Sequence, residues 1–248
     1  MPKGCCVIKG KMMINCAVIV PVYNHHHKLA ELLSLLREKK LPVVVVDDGS
    51  DAASAEQVKC ICDGHEGVSL FAYQPNQGKG AAVLKGMEIA RDAGYSHVIQ
   101  IDADLQHDVA DMDRFIAQAE KNPKACICGV PQYDESVDKG RYYARYITHV
   151  WVWIHTWSKD IKDSMCGFRC YPLVGVMPLV EKNKIGKRMN FDTDIIVKMH
   201  WQGIRIINLP THVVYHDDVP SNFRMFKDNV AISWTHTKLF FGMLIRSP

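Results

Sequence analysis

The stretch Val98–His107 reads V-I-Q-I-D-A-D-L-Q-H, a short apolar run that ends in two carboxylates one residue apart. Such a run predicts a buried strand with Asp102 and Asp104 at its carboxyl end, where open α/β sheets bind ligands. These two carboxylates and the amide of Gln106 are hard oxygen donors, which Mg²⁺ and Mn²⁺ prefer. In a purely structural interpretation, Asp102 ends the strand and Asp104 or Asp108 caps the next helix. Both interpretations place the stretch in an α/β sheet.

The rest of the chain repeats this alternation of buried strand and helix. Alternating strands and helices favour right-handed crossovers and a mostly parallel central sheet flanked by helices. The predicted strands are Cys16–Val20, Val43–Val46, Val68–Tyr73, His97–Ile101 and Ala125–Cys128, followed by extended segments at Ile204–Asn208 and His212–Tyr215. The predicted helices include Gly78–Arg91, Asp108–Glu120, Arg141–Trp157 and Phe191–Trp201.

Composition narrows the class of protein. The 248 residues are 48% hydrophobic and 23% charged, as in an ordinary globular protein, and the net charge of +3 with dispersed basic residues argues against a nucleic-acid partner. Nine cysteines without a zinc-type spacing predict buried thiols in a reducing compartment. Neither a signal peptide nor an apolar stretch of about 18 residues is apparent, so we expect a cytoplasmic protein. We expect one domain over residues 1–220 and an appendage over residues 221–248.

The first two predicted strands also end in polar residues. Tyr23 and Asn24 follow the first strand, where Tyr23 can stack on a base, although a plain turn explains the same residues. Asp47 and Asp48 end the second strand, and two adjacent acids need a cation or hydrogen-bond donors, which a nucleobase or ribose would supply. The alternative is a turn that leads into a capped helix. The glycine fingerprint of dinucleotide-binding enzymes is missing after the first strand, which argues against a nicotinamide or flavin enzyme.

Three further segments carry charged residues in a pattern that favours phosphate or proton chemistry. Lys79 lies between two glycines at a predicted helix start, where backbone amides attract anions. Arg169 ends the segment Asp163–Arg169 and can bind phosphate through two hydrogen bonds, with a surface salt bridge as the alternative. Of Asp192 and Asp194, one is predicted to cap a helix and the other to act as a general base or to bind the acceptor.

Together these motifs resemble the family 2 inverting glycosyltransferases of GT-A fold. Within that family the nearest resemblance is to the dolichyl-phosphate mannosyltransferase and polyprenyl-phosphate glycosyltransferase branch. It covers about residues 16–215, with the motifs in the expected order. The motifs are Pro21-Val22-Tyr23-Asn24, Val46-Asp47-Asp48-Gly49-Ser50, Asn76-Gln77-Gly78-Lys79-Gly80, Asp102-Ala103-Asp104-Leu105-Gln106-His107 and Gly167-Phe168-Arg169.

The resemblance implies transfer of one sugar, with inversion, from a GDP- or UDP-linked donor to a lipid-linked acceptor, with Mg²⁺ or Mn²⁺ as cofactor. It implies a nucleotide pocket formed by Pro21, Tyr23, Asn24, Asp48 and Lys79, and a metal and diphosphate site formed by Asp102, Asp104 and Gln106. It also implies that Arg169 faces a donor or acceptor phosphate and that Asp192 lies at the position of the family's catalytic base. Phe191 replaces the glutamate that precedes this base in the family, which favours an acceptor that is already an ionised phosphate.

The C-terminal segment Phe223–Ile245 combines aromatic and aliphatic residues with scattered cations. This pattern predicts an amphipathic helix that lies in the interface of a membrane, at its inner face, rather than crossing it. The alternative is a helix that packs on the domain core or dimerises. For function, the alternatives are a soluble or protein hydroxyl acceptor and a catalytically silent module that binds sugar nucleotides or membranes. Of the histidines, His107 and His216 are expected nearer the chemistry than His25–His27.

Overall fold

The computed structural model describes residues 7–8, 11–12, 14–132, 139–213 and 225–246. A short antiparallel ladder joins β1 (Val7–Ile8) to β2 (Lys11–Met12). The other strands are β3 (Cys16–Val22), β4 (Val43–Asp47), β5 (Val68–Ala72), β6 (His97–Gln100), β7 (Cys126–Gln132), β8 (Arg169–Pro172) and β9 (Ile206–His212). They form one sheet of seven strands in the order β5-β4-β3-β6-β8-β7-β9.

Helices cover both faces of this sheet. The helices are α1 (Leu29–Glu38), α2 (Ala52–Asp63), α3 (Lys79–Asp92), α4 (Met112–Lys121), α5 (Lys139–Thr156), α6 (Leu173–Lys182), α7 (Phe191–Trp201) and α8 (Met225–Arg246). Alternate residues of β3 belong to two different hydrophobic clusters, because successive side chains of a strand point to opposite faces. Val18 and Val20 pack with α1, α2 and α4, whereas Ala17 and Ile19 pack with α3, α5, α6, α7 and α8.

One strand runs against the others and brings the last predicted motif to the site. Strand β8 is antiparallel to both β6 and β7, whereas all other pairs of neighbouring strands in the sheet are parallel. Arg169, the first residue of β8, lies opposite Gln100, the last residue of β6. The loop that precedes β8 therefore lies at the edge where β3, β4 and β6 end.

The mixed α/β architecture predicted from the sequence is confirmed, with differences in detail. The segment predicted as one helix from Asp108 is a 3₁₀ turn, Val109–Asp111, followed by α4, because Asp108 caps the turn by accepting a bond from the Ala110 amide. The two extended segments predicted after residue 203 form one strand, β9, up to His212, and residues 214 and 215 lie outside the described part. Helix α6 was not predicted. The seven described cysteines are all free, and all except Cys60 are buried.

Helices α5 and α8 pack together through a pair of histidines. Nε2 of His155 lies 3.0 Å from Nδ1 of His236, and His155 is fully buried. The indole of Trp201 on α7 donates a hydrogen bond to the backbone oxygen of His155. Burial, together with the neighbouring His236, lowers the pKa of His155 to about 4. Both histidines are therefore neutral in the folded protein near pH 7, and α8 is anchored to the domain through them.

This pair predicts a loss of stability in mild acid. Because the pKa of His155 is lower in the folded protein than its ordinary 6.5, the unfolded chain binds this proton more tightly. The stabilising contribution is complete above about pH 6.5 and is lost as the pH falls towards 4. We expect the fall in unfolding free energy between pH 7 and pH 5 to be smaller by about 2 kcal/mol in His155→Phe than in the wild type. Urea unfolding at pH 7 and pH 5 measures the free energy of unfolding of each protein, with His27→Phe, at an exposed position, as the control. The same pH dependence in the wild type, His155→Phe and His27→Phe would contradict the prediction.

Candidate active site

Lys79 and Asp102 form an ion pair at the centre of the candidate site. Lys79 is the first residue of α3, and its Nζ lies 2.8 Å from Oδ2 of Asp102, just beyond the end of β6. Burial disfavours the charged form of Asp102, but the Lys79 ammonium outweighs it and lowers the pKa of this carboxyl. Oδ1 of Asp102 is buried and has no hydrogen-bond partner among the described residues. One oxygen of an ionised carboxylate is therefore available to a ligand.

Asp104 and Gln106 follow on the same loop. Oδ1 of Asp104 accepts a hydrogen bond from the backbone amide of Gln106, and the intervening Leu105 has a left-handed φ of 57°. Burial and the neighbouring Asp102 charge raise the pKa of Asp104. Two carboxylates that repel each other are stabilised together by a cation.

The residues present fit a divalent metal ion. The buried oxygen of Asp102 that lacks a partner, the carboxylate of Asp104 and the amide of Gln106 are all oxygen donors. No group of three or more histidine, cysteine, aspartate or glutamate side chains suited to a metal occurs in the described part of the chain. Mg²⁺ typically takes only one or two protein carboxylates and completes its shell with water and substrate phosphates.

Asp192, rather than Asp194, reaches this cluster. Oδ2 of Asp192 lies 3.3 Å from Nζ of Lys79, and Oδ1 lies 3.4 Å from the Gln100 amide nitrogen. Asp194 instead pairs with Lys198 at 2.7 Å and accepts a bond from a backbone amide. The predicted cap by one of the two acids is wrong, because Asn190 occupies the N-cap of α7 and neither carboxylate caps it.

Phe191, which stands where the family has a glutamate, is a core residue and does not belong to the candidate site. Its side chain is fully buried, and a Cβ added to Gly80 would lie only 2.5 Å from the Cβ of Phe191. The start of α7 therefore packs directly on the start of α3. This contact places Asp192 beside Lys79 and leaves no second carboxylate next to it at position 191.

Gly167 closes the site on the side of β8. A Cβ at this position would lie 2.8 Å from Nζ of Lys79 and 2.9 Å from Oδ2 of Asp102, so only glycine fits without displacement. The loop is held by Asp163, whose carboxylate binds the Arg145 guanidinium at 2.7 and 2.8 Å and also accepts two backbone amides. Burial opposes the ionisation of Asp163, but hydrogen bonding by His149 and the charge of Arg145 hold its pKa below the ordinary value.

The structure does not place Arg169 where a phosphate contact requires it. The side chain is fully buried, and its guanidinium donates to the backbone oxygens of Asp192 at 2.7 Å and Ser164 at 2.8 Å. The surface salt bridge considered as the alternative is not formed either. Through these two hydrogen bonds Arg169 joins the loop before β8 to the start of α7.

Asp48 is surrounded by donors from the protein itself. Its two oxygens accept hydrogen bonds from the Tyr73 hydroxyl, the Asn76 amide and the backbone amides of Gln77 and Gly78, at 2.7 to 2.8 Å. Burial and the bond to Asp48 raise the pKa of Tyr73. The expected donors of a nucleobase or ribose are thus supplied by the chain. Asp48 fixes the loop that ends at Lys79.

The other predicted nucleotide-pocket residues lie at the same edge of the sheet. Pro21 is within β3, opposite Val46. Asn24 has a left-handed φ of 54°, and its side-chain oxygen accepts a hydrogen bond from the Asp51 backbone amide. The backbone amide of Asn24 donates a hydrogen bond to the Ser50 hydroxyl at 2.9 Å. Oδ1 of Asp47 accepts from the Ser50 amide. These contacts confirm the plain turn, and the half-buried Tyr23 borders it.

Sequence reasoning missed two residues that support the cluster. Gln100 ends β6 and bonds to Asp192 on one side and to the Tyr171 hydroxyl on the other, at 3.0 Å. A glutamine at the end of an otherwise apolar strand was the available signal for Gln100, whereas nothing in the sequence pattern distinguished Tyr171 from a core residue.

His107 is half-buried, stacks on Phe168, and has its pKa lowered to about 4 by burial. His216 lies outside the described residues.

Comparison with known families identifies the class of protein. The sequence profile described as glycosyl transferase family 2 matches residues 17–177, more than half of the chain. The chain belongs to this family. It is a glycosyltransferase, as the sequence predicted.

Three relatives of this glycosyltransferase show how far the similarity extends. An uncharacterized protein of Methanocaldococcus jannaschii is 26% identical over 82% of this chain and 90% of its own length. A dolichyl-phosphate beta-glucosyltransferase of Trichomonas vaginalis is 26% identical over 77% of this chain and 63% of its own length. An undecaprenyl-phosphate 4-deoxy-4-formamido-L-arabinose transferase of Pseudomonas fluorescens is 34% identical over 42% of this chain and 32% of its own length. The chain thus spans less than two thirds of the two relatives whose activity is named.

Solved structures confirm the GT-A fold of the glycosyltransferase. The glucosyl-3-phosphoglycerate synthase of Mycobacterium tuberculosis, in complex with Mn²⁺, UDP-glucose and phosphoglyceric acid, superposes with a TM-score of 0.67 at 10% identity, covering 93% of this chain and 79% of that one. The mannosyltransferase of Pyrobaculum calidifontis, in complex with GDP-mannose and Mn²⁺, superposes with a TM-score of 0.60 at 18% identity, covering 95% and 65%.

Proposed function

We propose that this glycosyltransferase moves one sugar from a GDP- or UDP-linked donor to a polyprenyl phosphate at a membrane surface, with inversion and with Mg²⁺ or Mn²⁺ as cofactor. The observation that carries the proposal is the cluster of Asp102, Lys79 and Asp192, because it places a free carboxylate oxygen and a fixed ammonium side by side. Support for the metal and the donor comes from fold relatives that bind Mn²⁺ with UDP-glucose or GDP-mannose.

The residues of the cluster have separate roles in this proposal. Asp102, Asp104 and Gln106 would hold the metal ion, and a divalent cation there would supply positive charge to the leaving diphosphate. Lys79 supplies a second positive charge to the same phosphates from the start of α3. Gly167 lets the donor approach the pair closely, since no side chain covers it. Both oxygens of Asp192 are engaged, so we assign it to holding Lys79 in place when the acceptor is a phosphate.

An acceptor phosphate needs no base of its own, because it is already ionised near neutral pH. Were the acceptor a hydroxyl, Asp192 would be the residue to accept its proton. Two of the relatives are named for dolichyl-phosphate and undecaprenyl-phosphate acceptors, which supports a polyprenyl phosphate here. A cavity of about 270 Å³ adjoins the metal loop at Gln106 and His107 and offers space beside the site.

A second observation supports a lipid acceptor. Helix α8 packs its inner side, with Leu239 and Met243, on the domain core and turns an apolar side outward. The exposed apolar residues of α8 are Phe226, Val230, Trp234, Phe241, Leu244 and Ile245. Core packing, the alternative considered from the sequence, accounts for the inner side of the helix, and for its outer side we propose contact with a membrane.

Helix α5 extends this outward surface. Its exposed apolar residues, together with the residue that follows it, are Tyr146, Ile147, Val150, Trp151, Ile154 and Trp157. Two adjacent helices that expose aromatic residues, with the exposed Lys227 and Lys238 on α8, match the chemistry of an anionic membrane interface. No helix in the described part of the chain is long and apolar enough to cross a membrane. We therefore propose peripheral attachment at the cytoplasmic face; residues 223 and 224 of the predicted segment lie outside the described part.

The membrane surface makes a prediction about vesicle binding. We expect the triple variant Phe226→Ser, Trp234→Ser, Phe241→Ser to bind vesicles of mixed neutral and anionic lipid at least about tenfold more weakly, because each aromatic side chain loses burial worth about 1.5–3 kcal/mol. Vesicle flotation measures the bound fraction. Val174→Ser is the matched control, since Val174 is an apolar residue, 76% exposed, on α6 and not on either helix of this surface. If the wild type does not float with vesicles and is a dimer, and the triple variant is a monomer, then a second copy of the chain, and not a membrane, covers the surface.

The assay for the function combines donor and acceptor classes. The full chain is incubated with Mn²⁺, a panel of GDP- and UDP-sugars, and vesicles with or without a polyprenyl phosphate, and sugar transferred to the lipid is counted. The proposal expects transfer only with the lipid phosphate and only with a divalent cation. Transfer to a soluble hydroxyl compound with none to the lipid would contradict the acceptor class. The absence of any transfer with protein that binds the nucleotide sugar would favour a silent binding module.

A further inference from the structure

Lys79 forms ion pairs with two carboxylates, and one of them, Asp102, is a proposed metal ligand. Its Nζ lies 2.8 Å from Asp102 and 3.3 Å from Asp192, and only 18% of the side chain is exposed. We propose that Lys79 is a counter-charge that weakens the binding of a free divalent cation at Asp102 and strengthens the binding of a nucleoside diphosphate, so that metal and nucleotide bind together. This inference rests on the proposed function and adds to it the coupling between metal binding and nucleotide binding.

The geometry restricts where Lys79 can go. Gly167 lies so close that a Cβ there would be 2.8 Å from Nζ of Lys79. Gly78, which precedes Lys79, is fixed by the hydrogen bond that its backbone amide donates to the Asp48 carboxylate at 2.7 Å. The ammonium therefore lies next to Asp102, between the loops that carry Gly78 and Gly167. A cation that binds at Oδ1 of Asp102 must share this carboxylate with Lys79.

Charge explains the direction of the effect. Like charges that share one carboxylate repel, and the repulsion is stronger in a partly buried site than in water. A metal ion that arrives alone therefore meets a site whose negative charge Lys79 has already reduced. A nucleoside diphosphate adds negative charge that both cations can share, so each ligand raises the affinity of the other by the same factor.

Substitution of Lys79 should therefore change the two affinities in opposite directions. In Lys79→Met we expect Mn²⁺ alone to bind about tenfold more tightly, and UDP and GDP, in excess EDTA, to bind about tenfold more weakly, within the usual range of coupling between sites. The Mn²⁺ affinity is read from the electron paramagnetic resonance signal of the free ion, and the nucleotide affinity from calorimetry. Partial unfolding would weaken both affinities, so it cannot imitate this result.

Lys198→Met is the matched control. Lys198 is 17% exposed and also pairs with a buried carboxylate of α7, Asp194, but it lies outside the Asp102 cluster. We expect both affinities to be unchanged in this variant.

The wild-type protein provides a test that does not depend on the folding of any variant. Its Mn²⁺ affinity should rise at least about tenfold when UDP or GDP is added. Independent binding of metal and nucleotide, or a folded Lys79→Met protein whose Mn²⁺ affinity is unchanged or lower, would overturn this inference and leave the proposed function standing. A wild type that binds no Mn²⁺ even with nucleotide would instead refute the metal dependence of the proposed function.

Discussion

Asp104→Asn is expected to reduce sugar transfer by roughly a thousandfold, because a metal ion contributes several kcal/mol of charge stabilisation in the transition state. Asparagine keeps the shape of the side chain and the oxygen that accepts the Gln106 amide. It removes the charge that Asp102 opposes, since the neighbouring Asp102 carboxylate is one cause of the raised pKa of Asp104. The variant should therefore be at least as stable as the wild type, and its activity and stability should change in opposite directions.

Asp108→Asn provides the control for this prediction. Asp108 is exposed, lies four residues further along the same loop, and caps the 3₁₀ turn with a single backbone bond that asparagine also makes. Released nucleoside diphosphate and the thermal midpoint are measured for both variants. Wild-type turnover in Asp104→Asn, with the thermal midpoint preserved, would remove Asp104 from the metal site.

The fold was predictable because burial repeats at the periods of strand and helix. The continuous apolar run Val43–Val46 predicted a strand, and it is buried in β4. The predicted helix Gly78–Arg91 matches α3, whose buried side includes Val83, Met87 and Ala90. Helix α6 was not predicted, since it carries Pro178 inside it and is apolar on several sides, which hides the helical period. Periodicity also gave no direction for β8, the antiparallel strand.

That missing direction explains the difference at Arg169. A glycine two residues before an arginine at a strand start favours a phosphate contact only when the arginine side chain points to the ligand edge. In the antiparallel β8 the guanidinium instead points inward, to the backbone oxygens of Ser164 and Asp192. The donors around Asp48 could not be assigned from sequence for a related reason. They come from residues 73 to 78, and only the folded loop shows that they reach the carboxylate first.

The cluster itself was predictable as a set of residues but not as a set of contacts. Asp102 follows the parallel strand β6, and Lys79 begins the helix that follows β5. The topology of a parallel sheet alone brings both residues to the same edge. Asp192 arrives from a helix late in the chain, and its choice over Asp194 depends on the packing of Phe191 against Gly80. Such packing is a property of tertiary structure, so the sequence left the two acids as alternatives.

Gly167→Ala should lower the rate of sugar transfer by about a hundredfold while leaving the protein folded, because a displacement of about 1 Å in a reacting group can cost that factor. The added methyl group would lie within 3 Å of both Nζ of Lys79 and Oδ2 of Asp102. Lys79 is a long side chain and can move its end, so the fold should survive. Moving it breaks the 2.8 Å pair with Asp102, however, and shifts the carboxylate that holds the metal.

The change in rate is separated from a general effect of alanine by Gly64→Ala. Gly64 follows α2 with an ordinary helical backbone, and a Cβ there would meet no atom closer than 3.5 Å. Single-turnover transfer rates and thermal midpoints are compared for the two variants and the wild type. If Gly167→Ala transfers sugar at the wild-type rate, then the loop before β8 moves aside readily, and Gly167 is not needed for the close approach of donor, Lys79 and Asp102. If Gly167→Ala unfolds, the prediction of a folded variant is wrong, and the Lys79–Asp102 pair contributes to the stability of the domain.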